Sequence, residues 1–444
     1  MYKRQGVHQT KANNKGLPLK VSCFVGGPPA HSVAAVMPLP EGMSEMNFAG
    51  VLAGKRFGYT YIDGFCVSTD ADFVITGEVF PGENKPEGPF GDHLGYYSLQ
   101  HPFPVMKVHK VYARKNAIWA FTVVGRPPQE DTSFGQLIHH ITGSAVSNEI
   151  PGLKEVHAVD AAGVHPLLLA IGSERYTPFL ENKKPAEILT IANHILGTGQ
   201  LSLAKFVWIT AEAKKVKGIE LKDNNAEDNQ TTGISGTKST TNKLDVNNVP
   251  EFFEYMLSRM DFSNDLHFYT HTTMDTLDYS GDGLNSGSKL VLAAYGDVRR
   301  KLATSIPEKI TALNANAQLI MPGVIAVNAV NTETTETTSI LSIQEKLKGL
   351  GESLLEKEGV AMIIITEDAT WMAADFNNFI WAAFTRTNPS KDMEGVDSYT
   401  NNKHWGCKGP IIFDATIKKH HAPAVVKDNE VEKKVTALLS KYGF

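Results

Sequence analysis

The sequence predicts a multidomain protein, mixed α+β in its N-terminal part and α/β beyond it. Three observations predict this. At 444 residues the chain is too long for one simple core, so two or three domains are expected. Up to Val124, runs rich in Val, Ile, Thr and aromatic residues follow one another without long helices between them, which is the texture of an antiparallel sheet or barrel. From about residue 160, strand-like runs alternate with helical ones, as in an α/β domain.

Taken in order, Leu17 to Val25 is a buried-strand candidate that ends at the Gly26-Gly27-Pro28-Pro29 break. Pro29 to Val36 begins a short helix, and Met37-Pro38-Leu39-Pro40 must be extended because residues before proline avoid the helical region. Ser44-Glu45 opens a second segment of small apolar residues through Gly54. Strands are expected at Phe57–Asp63, Phe73–Phe80, Val105–Tyr112 and Ala117–Val124, then a connecting helix around Phe134–Ile141. Further on, Pro166–Ile171 and Phe206–Ile209 are buried-strand runs, and Pro185–Leu196 is a helix with proline at its start. Residues 214–248 are polar and predict an exposed insertion. Asn331–Thr338 is a second polar stretch, before a helical run to about Gly359. The segments after Phe206 and after Ala361 follow a similar strand–helix–loop order, either an internal repeat or two unrelated units. The expected domains are therefore 1–133, a connecting helix in 134–160, an α/β domain in 161–330 and a C-terminal α/β extension in 331–444.

Composition excludes several partners. The net charge is −5, with no basic run, so nucleic acid is not expected. Cys23, Cys66 and Cys407 are odd in number and far apart, which gives neither a disulfide framework nor a zinc pattern. A reducing, intracellular setting is expected. No apolar run is long enough to span a bilayer, and the first residues lack the apolar core of a signal peptide, so the cytoplasm is the expected location.

The stretch that carries chemistry is Glu87-Gly88-Pro89-Phe90-Gly91-Asp92, followed by His93-Leu94-Gly95-Tyr96-Tyr97-Ser98. Proline and two glycines argue against a helix and for a shaped loop. Such a loop can turn Glu87 and Asp92 toward one point, where two carboxylates resist ionising together and one keeps its proton. That is the equipment of a general acid beside a base or electrostatic partner. The surrounding Phe90, Leu94, Tyr96, Tyr97, Phe103 and Pro104 favour a pocket over open water. The bland alternative is an ordinary surface turn, for which these residue types are equally suited.

The run EGPFGDHLGYYS resembles the UbiD-like decarboxylases, which use prenylated FMN. Two other blocks agree in order and spacing: Gly26-Gly27-Pro28-Pro29-Ala30 with Met37-Pro38-Leu39-Pro40-Glu41-Gly42-Met43-Ser44-Glu45, and Thr122-Val123-Val124-Gly125-Arg126-Pro127-Pro128. The resemblance implies a split β-barrel flavin-binding domain followed by the α/β part. It also implies non-oxidative decarboxylation of an aromatic or unsaturated acid, of which 4-hydroxybenzoate-type acids of quinone synthesis are the nearest guess. Glu45 is then the ligand of a divalent metal, Mn²⁺ or Mg²⁺, that bridges to the flavin phosphate; hard carboxylate and phosphate oxygens suit such an ion. Ala35 and Met37 match backbone positions that hold a monovalent cation such as K⁺, and Pro38 joins them at the cofactor. Glu87 and Asp92 take active-site roles, with Asp92 as proton donor; some members have glutamate there, so aspartate is a mild departure. His93 falls where the family faces its substrate. A homo-oligomer and a flavin prenyltransferase that supplies the cofactor are further expectations.

Other groups receive structural readings first. Arg126 is expected in a structural salt bridge before a carboxylate-binding role. His139 and His140 are expected to be packed or capping groups, and His404, Cys407, His420 and His421 lack a metal spacing or a defined base. The family's metal-binding asparagine and histidine and its catalytic arginine lie upstream of the Gly26-Gly27 block, and only about two dozen residues precede that block here. The expectation is a truncated reading of a longer protein, a chain that pairs with another polypeptide, or a catalytically impaired homologue that serves as an assembly or scaffold subunit. A flavin reductase-like protein built on the barrel alone is a third reading.

Overall fold

The computed structural model describes residues 2–37, 39, 42–177, 179, 184–211, 244–329 and 339–443. Pro38, residues 214–243 of the polar insertion and the polar stretch 331–338 lie outside the described residues.

The N-terminal part begins with helix α1 (Tyr2–Asn14) and strand β1 (Leu19–Val25). Gly26 and Gly27 both have positive φ, 69° and 88°, and turn the chain into α2 (Pro29–Val36). A Cβ on Gly27 would meet the Asp70 carbonyl oxygen at 2.6 Å, so the turn has no room for a side chain. Helix α3 (Glu45–Leu52) packs against α2. A hairpin follows, β2 (Tyr59–Ile62) and β3 (Phe65–Ser68), turned by Asp63-Gly64, which both have positive φ as a two-residue hairpin loop requires. Long strands β4 (Phe73–Glu87) and β5 (His101–Ala113) complete an antiparallel three-stranded sheet of order β1-β4-β5.

The mixed α+β architecture is the one expected, its N-terminal strands forming among the described residues a three-stranded sheet and a hairpin with no closed barrel. One expectation needs correction here. Ala117–Val124 forms no strand, and Ile118, Trp119, Phe121 and Val123 are exposed. A strand needs a neighbour for its backbone donors and acceptors, and no described segment pairs with this one.

Helix α4 (Glu130–Glu149) leads to the α/β part. Its first sheet contains β6 (Leu153–Ala158), β7 (Leu167–Gly172), β8 (Phe206–Ala211), β9 (Leu266–Thr273) and β10 (Ser286–Ala294), in the order β6-β7-β8-β10-β9. Helices α5 (Glu187–Gly197) and α6 (Val249–Leu257) lie between its strands in sequence. After α7 (Glu308–Leu313), the second sheet contains β11 (Gln318–Met321), β12 (Val324–Asn328), β13 (Met362–Thr366) and β14 (Met393–Gly395). The hairpin β15 (Ser398–Asn401) and β16 (His404–Cys407) precedes its last strand, β17 (Ile411–Asp414). The order is β11-β12-β13-β17-β14. In both sheets the successive pairs run antiparallel, parallel, parallel and antiparallel, so the two share one topology. The remaining helices are α8 (Ser339–Leu347), α9 (Ala369–Ala374), α10 (Phe376–Arg386), α11 (Pro389–Asp392) and the exposed C-terminal α12 (Asn429–Lys441). The helical run expected to reach Gly359 is broken: α8 stops at Leu347, and Gly349 follows at φ 77°.

Period-two alternation explains the layering. Leu167, Leu169, Ile171, Phe206 and Trp208 point into one core, and Leu168, Ala170, Val207 and Ile209 into another. In the second sheet Met362 and Ile364 share the first core, while Ile363 and Ile365 face a third. The shared core therefore lies between the two sheets, filled by Phe252, Phe253, Phe379 and Phe384 of α6 and α10. Central strands buried on both faces read as unbroken apolar runs, as β7 and β13 do. Leu94 and Tyr96 belong to the same core, so the acidic loop is anchored where the two α/β units meet.

Candidate active site

The β4–β5 ladder runs out to Glu87, which pairs with His101. Glu87 is thus the last residue of a strand and is exposed, a correction to the expectation that it sits within the loop and its pocket. The ladder pairing fixes it there. Asp92 lies in the loop proper, with its side chain 17% exposed.

The loop folds back on itself. Asp92 N–H donates to Tyr96 O at 3.0 Å, Gly95 N–H to Asp92 O at 2.9 Å, and Ser98 N–H to Phe90 O at 2.7 Å. It is then docked on α10. Trp381 Nε1–H donates to Leu94 O at 2.8 Å, and the Trp381 and Tyr96 rings stack with centroids 5.0 Å apart. The Tyr96 hydroxyl pairs with Thr385 Oγ1 at 2.9 Å and accepts from Arg386 Nε at 3.1 Å. Two glycines permit this fit. Gly95 has φ 84°, and a Cβ there would stand 2.8 Å from Arg126 Cα; a Cβ on Gly163 would stand 2.5 Å from Leu94 Cδ2. Among the described residues Arg126 forms neither of its expected contacts. Its guanidinium donates to Asn378 Oδ1 at 2.6 Å and lies over the Trp381 ring at 4.4 Å, helping to pin α10 to the loop.

The Asp92 carboxylate is held by its neighbour: His93 N–H and ring Nδ1 both donate to Asp92 Oδ1, at 2.7 and 2.9 Å. Burial pushes the His93 pKa down, but the hydrogen bond to Asp92 and the charges of Asp275, Asp92 and Asp131 outweigh it, and the ring titrates above the ordinary histidine value. Asp275 lies on the far side, with Oδ2 3.8 Å from His93 Nε2, and accepts from His165 Nδ1. Asp275 is buried, yet its pKa is driven far below the usual carboxylate range by the His165 hydrogen bond and the two histidine charges. Tyr279 joins the group. Burial raises its pKa, and the carboxylates of Asp92, Asp275 and Glu87 raise it further. Glu87 and Asp92 therefore act on one phenol, although one is exposed and the other half-buried. Beside Tyr279 a cleft of about 540 Å³ is lined in part by His101, Asn388, Lys391, Asp392 and His420. A larger groove of about 910 Å³, lined by Gln344, Lys348 and Asp397 among others, contains none of the expected site residues.

The second cluster of expected residues starts from the opposite end of β4, where Val25 pairs with Phe73. Ala35 lies in the last turn of α2 and Met37 caps it, buried. Glu45 is exposed in the first turn of α3. The last carbonyls of a helix lack intrahelical partners, so the C-terminal end of α2 offers backbone oxygens beside a helix that carries a carboxylate. That hard-oxygen set fits a cation at a phosphate. Of these carbonyls, Met37 O also accepts from Leu39 N–H at 2.9 Å.

Residues 1–127 match the family model described as 3-octaprenyl-4-hydroxybenzoate carboxy-lyase Rift-related domain, and residues 132–223 and 240–294 match its C-terminal domain. The chain belongs to the UbiD family. Over 98% of its length it is 33% identical to an uncharacterised protein of Chlamydia muridarum, covering 67% of that protein. It is 31% identical to a 4-hydroxybenzoate decarboxylase polypeptide of Chlamydia pneumoniae, over 97% of this chain and 66% of that one. The vanillic acid decarboxylase of Sedimentibacter hydroxybenzoicus in its closed form shares the fold at a TM-score of 0.53 and 18% identity, over 70% of this chain and 59% of that chain. The chain thus spans about two thirds of the length of these curated relatives and less of the solved structure. No helix among the described residues is long and apolar enough to cross a membrane.

Within this UbiD chain, sequence reasoning did not find Asp275, His165 or the aromatic and hydroxyl groups of α10. His165 and Asp275 are 110 residues apart, and nothing local in the sequence joins them.

Proposed function

We propose that this chain is the bearer of the proton donor in a UbiD-type carboxy-lyase that acts on an aromatic or unsaturated carboxylic acid. The observation that carries this reading is the Asp92 carboxylate, held by His93 in a half-buried loop bolted to α10. Loss of CO₂ replaces a carbon–carboxylate bond with a carbon–hydrogen bond, so each turnover consumes one proton, and that proton must arrive at one carbon. Asp92 Oδ1 is occupied by both His93 donors, which leaves Oδ2 to carry the proton outward. Docking of Leu94 and Tyr96 holds that oxygen in place, because reacting atoms misplaced by about 1 Å cost roughly 100-fold in rate.

Prenylated FMN, when bound, would supply the electron sink that makes the carboxylate a leaving group. Glu45 would hold Mn²⁺ or Mg²⁺ at the flavin phosphate, and the α2 carbonyls near Ala35 and Met37 would hold K⁺.

The test uses the full chain incubated with prenylated FMN and Mn²⁺, desalted, and assayed for CO₂ release from 4-hydroxybenzoate and related acids. We expect flavin absorbance to stay with the protein and Asp92→Asn to lower release by about 100-fold or more with an unchanged circular dichroism spectrum. Asparagine keeps the Oδ1 acceptor, so the loop survives. Unchanged CO₂ release from Asp92→Asn would refute the assignment; a protein that keeps no flavin would instead be the scaffold subunit.

A further inference from the structure

We propose that Asp275 and His165 are positioning residues that hold His93 as the proton reserve of Asp92, so that four side chains from three separate segments act as one proton-delivery group. The inference rests on the decarboxylase reading and adds to it a supply line for the proton.

A free aspartate titrates near 3.9, so at neutral pH an aspartic acid that has given up its proton regains it readily only if a neighbour carries one. His93 is that neighbour, with Nδ1 2.9 Å from Asp92 Oδ1. After Asp92 passes a proton from Oδ2 to carbon, His93 Nδ1–H moves to Oδ1, the oxygen it already faces, a neutral imidazole remains, and a half-turn of the carboxyl group about Cβ–Cγ brings the protonated oxygen to the outward position. Solvent then returns one proton to the imidazole, and the cycle closes with one solvent proton consumed for each carboxylate lost. This requires His93 to be an imidazolium between turnovers although it is buried, and burial alone disfavours the charge.

The structure supplies the counter-charge. Asp275 Oδ2 stands 3.8 Å from His93 Nε2, a buried ring nitrogen with no hydrogen-bond partner of its own among the described residues. Asp275 Oδ1 is fixed by Leu277 N–H at 3.0 Å, and His165 Nδ1 donates to Oδ2. One ring nitrogen of His93, one of His165 and one carboxylate oxygen of Asp275 all lie within 4.8 Å of one another. Exposure is graded, with side chains 6% exposed at Asp275, 12% at His93 and 25% at His165, so His165 is the member nearest water. The other ionisable groups that act on His93 or its carboxylates are Asp131 in the first turn of α4, Tyr279, and Glu87 through Tyr279.

Backbone strain points to the same residues without invoking charge. Val164, immediately before His165, has φ 71°. A β-branched residue in the left-handed region is strained. Here the strain sits at the residue that aims His165 at Asp275.

Two measurements test the proposal. In the first, His93 is titrated by NMR in the full chain. Its pKa is expected above the ordinary histidine value in wild type and at or below it in Asp275→Asn, which keeps the Leu277 bond and loses the charge together with the acceptor for His165 Nδ1–H. In the second, steady-state decarboxylation is compared in wild type, Asp275→Asn and His165→Ala. Both variants are expected to lose about tenfold or more in kcat with KM little changed, and added imidazole is expected to restore His165→Ala, because that edge of the group is open. A merely structural His165 would not respond to imidazole. His93 titrating at or below the ordinary value in wild type overturns the proposal whether or not CO₂ is released. Full activity of both variants in an active wild-type background overturns the proposal alone, leaving the decarboxylase reading intact.

Discussion

Replacing Trp381 with phenylalanine tests how the acidic loop is held. The indole Nε1–H is the donor to Leu94 O at 2.8 Å, and both groups are buried. Phenylalanine keeps a ring to stack on Tyr96 but removes the donor, which leaves a buried carbonyl unpaired at a cost of about 1–3 kcal/mol. Arg126 and Arg386 lie over the indole at 4.4 and 5.1 Å, and the weaker phenyl face forfeits roughly another 0.5–1 kcal/mol. The loop should therefore open more easily by about 1.5–4 kcal/mol, or roughly 10- to 1,000-fold in its local opening equilibrium. Native-state hydrogen exchange reads this directly. The reporting amides are Gly95, Tyr97 and Ser98, whose acceptors are Asp92 O, Pro423 O and Phe90 O. Protection at these amides should fall by that factor in Trp381→Phe, while the central strands β7 and β13 stay unchanged. Wild-type protection in the variant would refute the claim that α10 fixes the loop.

Three further outcomes are expected. Asp278→Ala strips the partner from Lys205, whose ammonium is fully buried 2.8 Å from the Asp278 carboxylate; the loss should be about 3–5 kcal/mol, seen in denaturant unfolding, and a change under about 1 kcal/mol would contradict the pairing. Val164→Asn should raise thermal stability by about 1 kcal/mol, since asparagine tolerates the left-handed region; a lower melting temperature would count against strain at that residue. Burial pushes the Asp265 carboxyl up to about 7. A raised folded-state pKa gives stability that is complete below the unfolded value near 3.8 and is lost as pH rises through about 7, a swing of roughly 4 kcal/mol at most. Asp265→Asn removes that dependence, so its melting temperature should gain on wild type between about pH 4 and pH 7; a constant difference would show that Asp265 is not held protonated.

The parts of this protein that were legible in its sequence are those set by local rules. Unbroken apolar runs such as Leu167–Ile171 and Met362–Ile365 mark strands covered on both faces, and Gly26-Gly27 marks a turn that needs positive φ. The acidic loop was legible as a loop from Gly88, Pro89 and Gly91. Its surroundings were not, because they are made by distant contacts. Tyr96 and Arg386 are 290 residues apart in sequence, and no periodicity reports such a meeting. Glu87 was misplaced because the β4–β5 pairing overrides the local preference of Pro86 and Glu87 for a turn. Ala117–Val124 has the composition of a strand, but composition cannot show whether a partner strand is present. Arg126 was read from its charge, whereas its contacts are an amide oxygen and two indole faces.

The most direct test is exchange at the carbon that receives the proton. The full chain, loaded with prenylated FMN, is mixed with the decarboxylated product in D₂O, and deuterium entering the former carboxyl position is followed by NMR. This isolates proton transfer at Asp92 from carbon–carbon cleavage. Exchange should be catalytic in wild type and absent in Asp92→Asn that retains its flavin absorbance. Equal exchange rates in the two proteins would contradict the assignment of Asp92 as the proton donor.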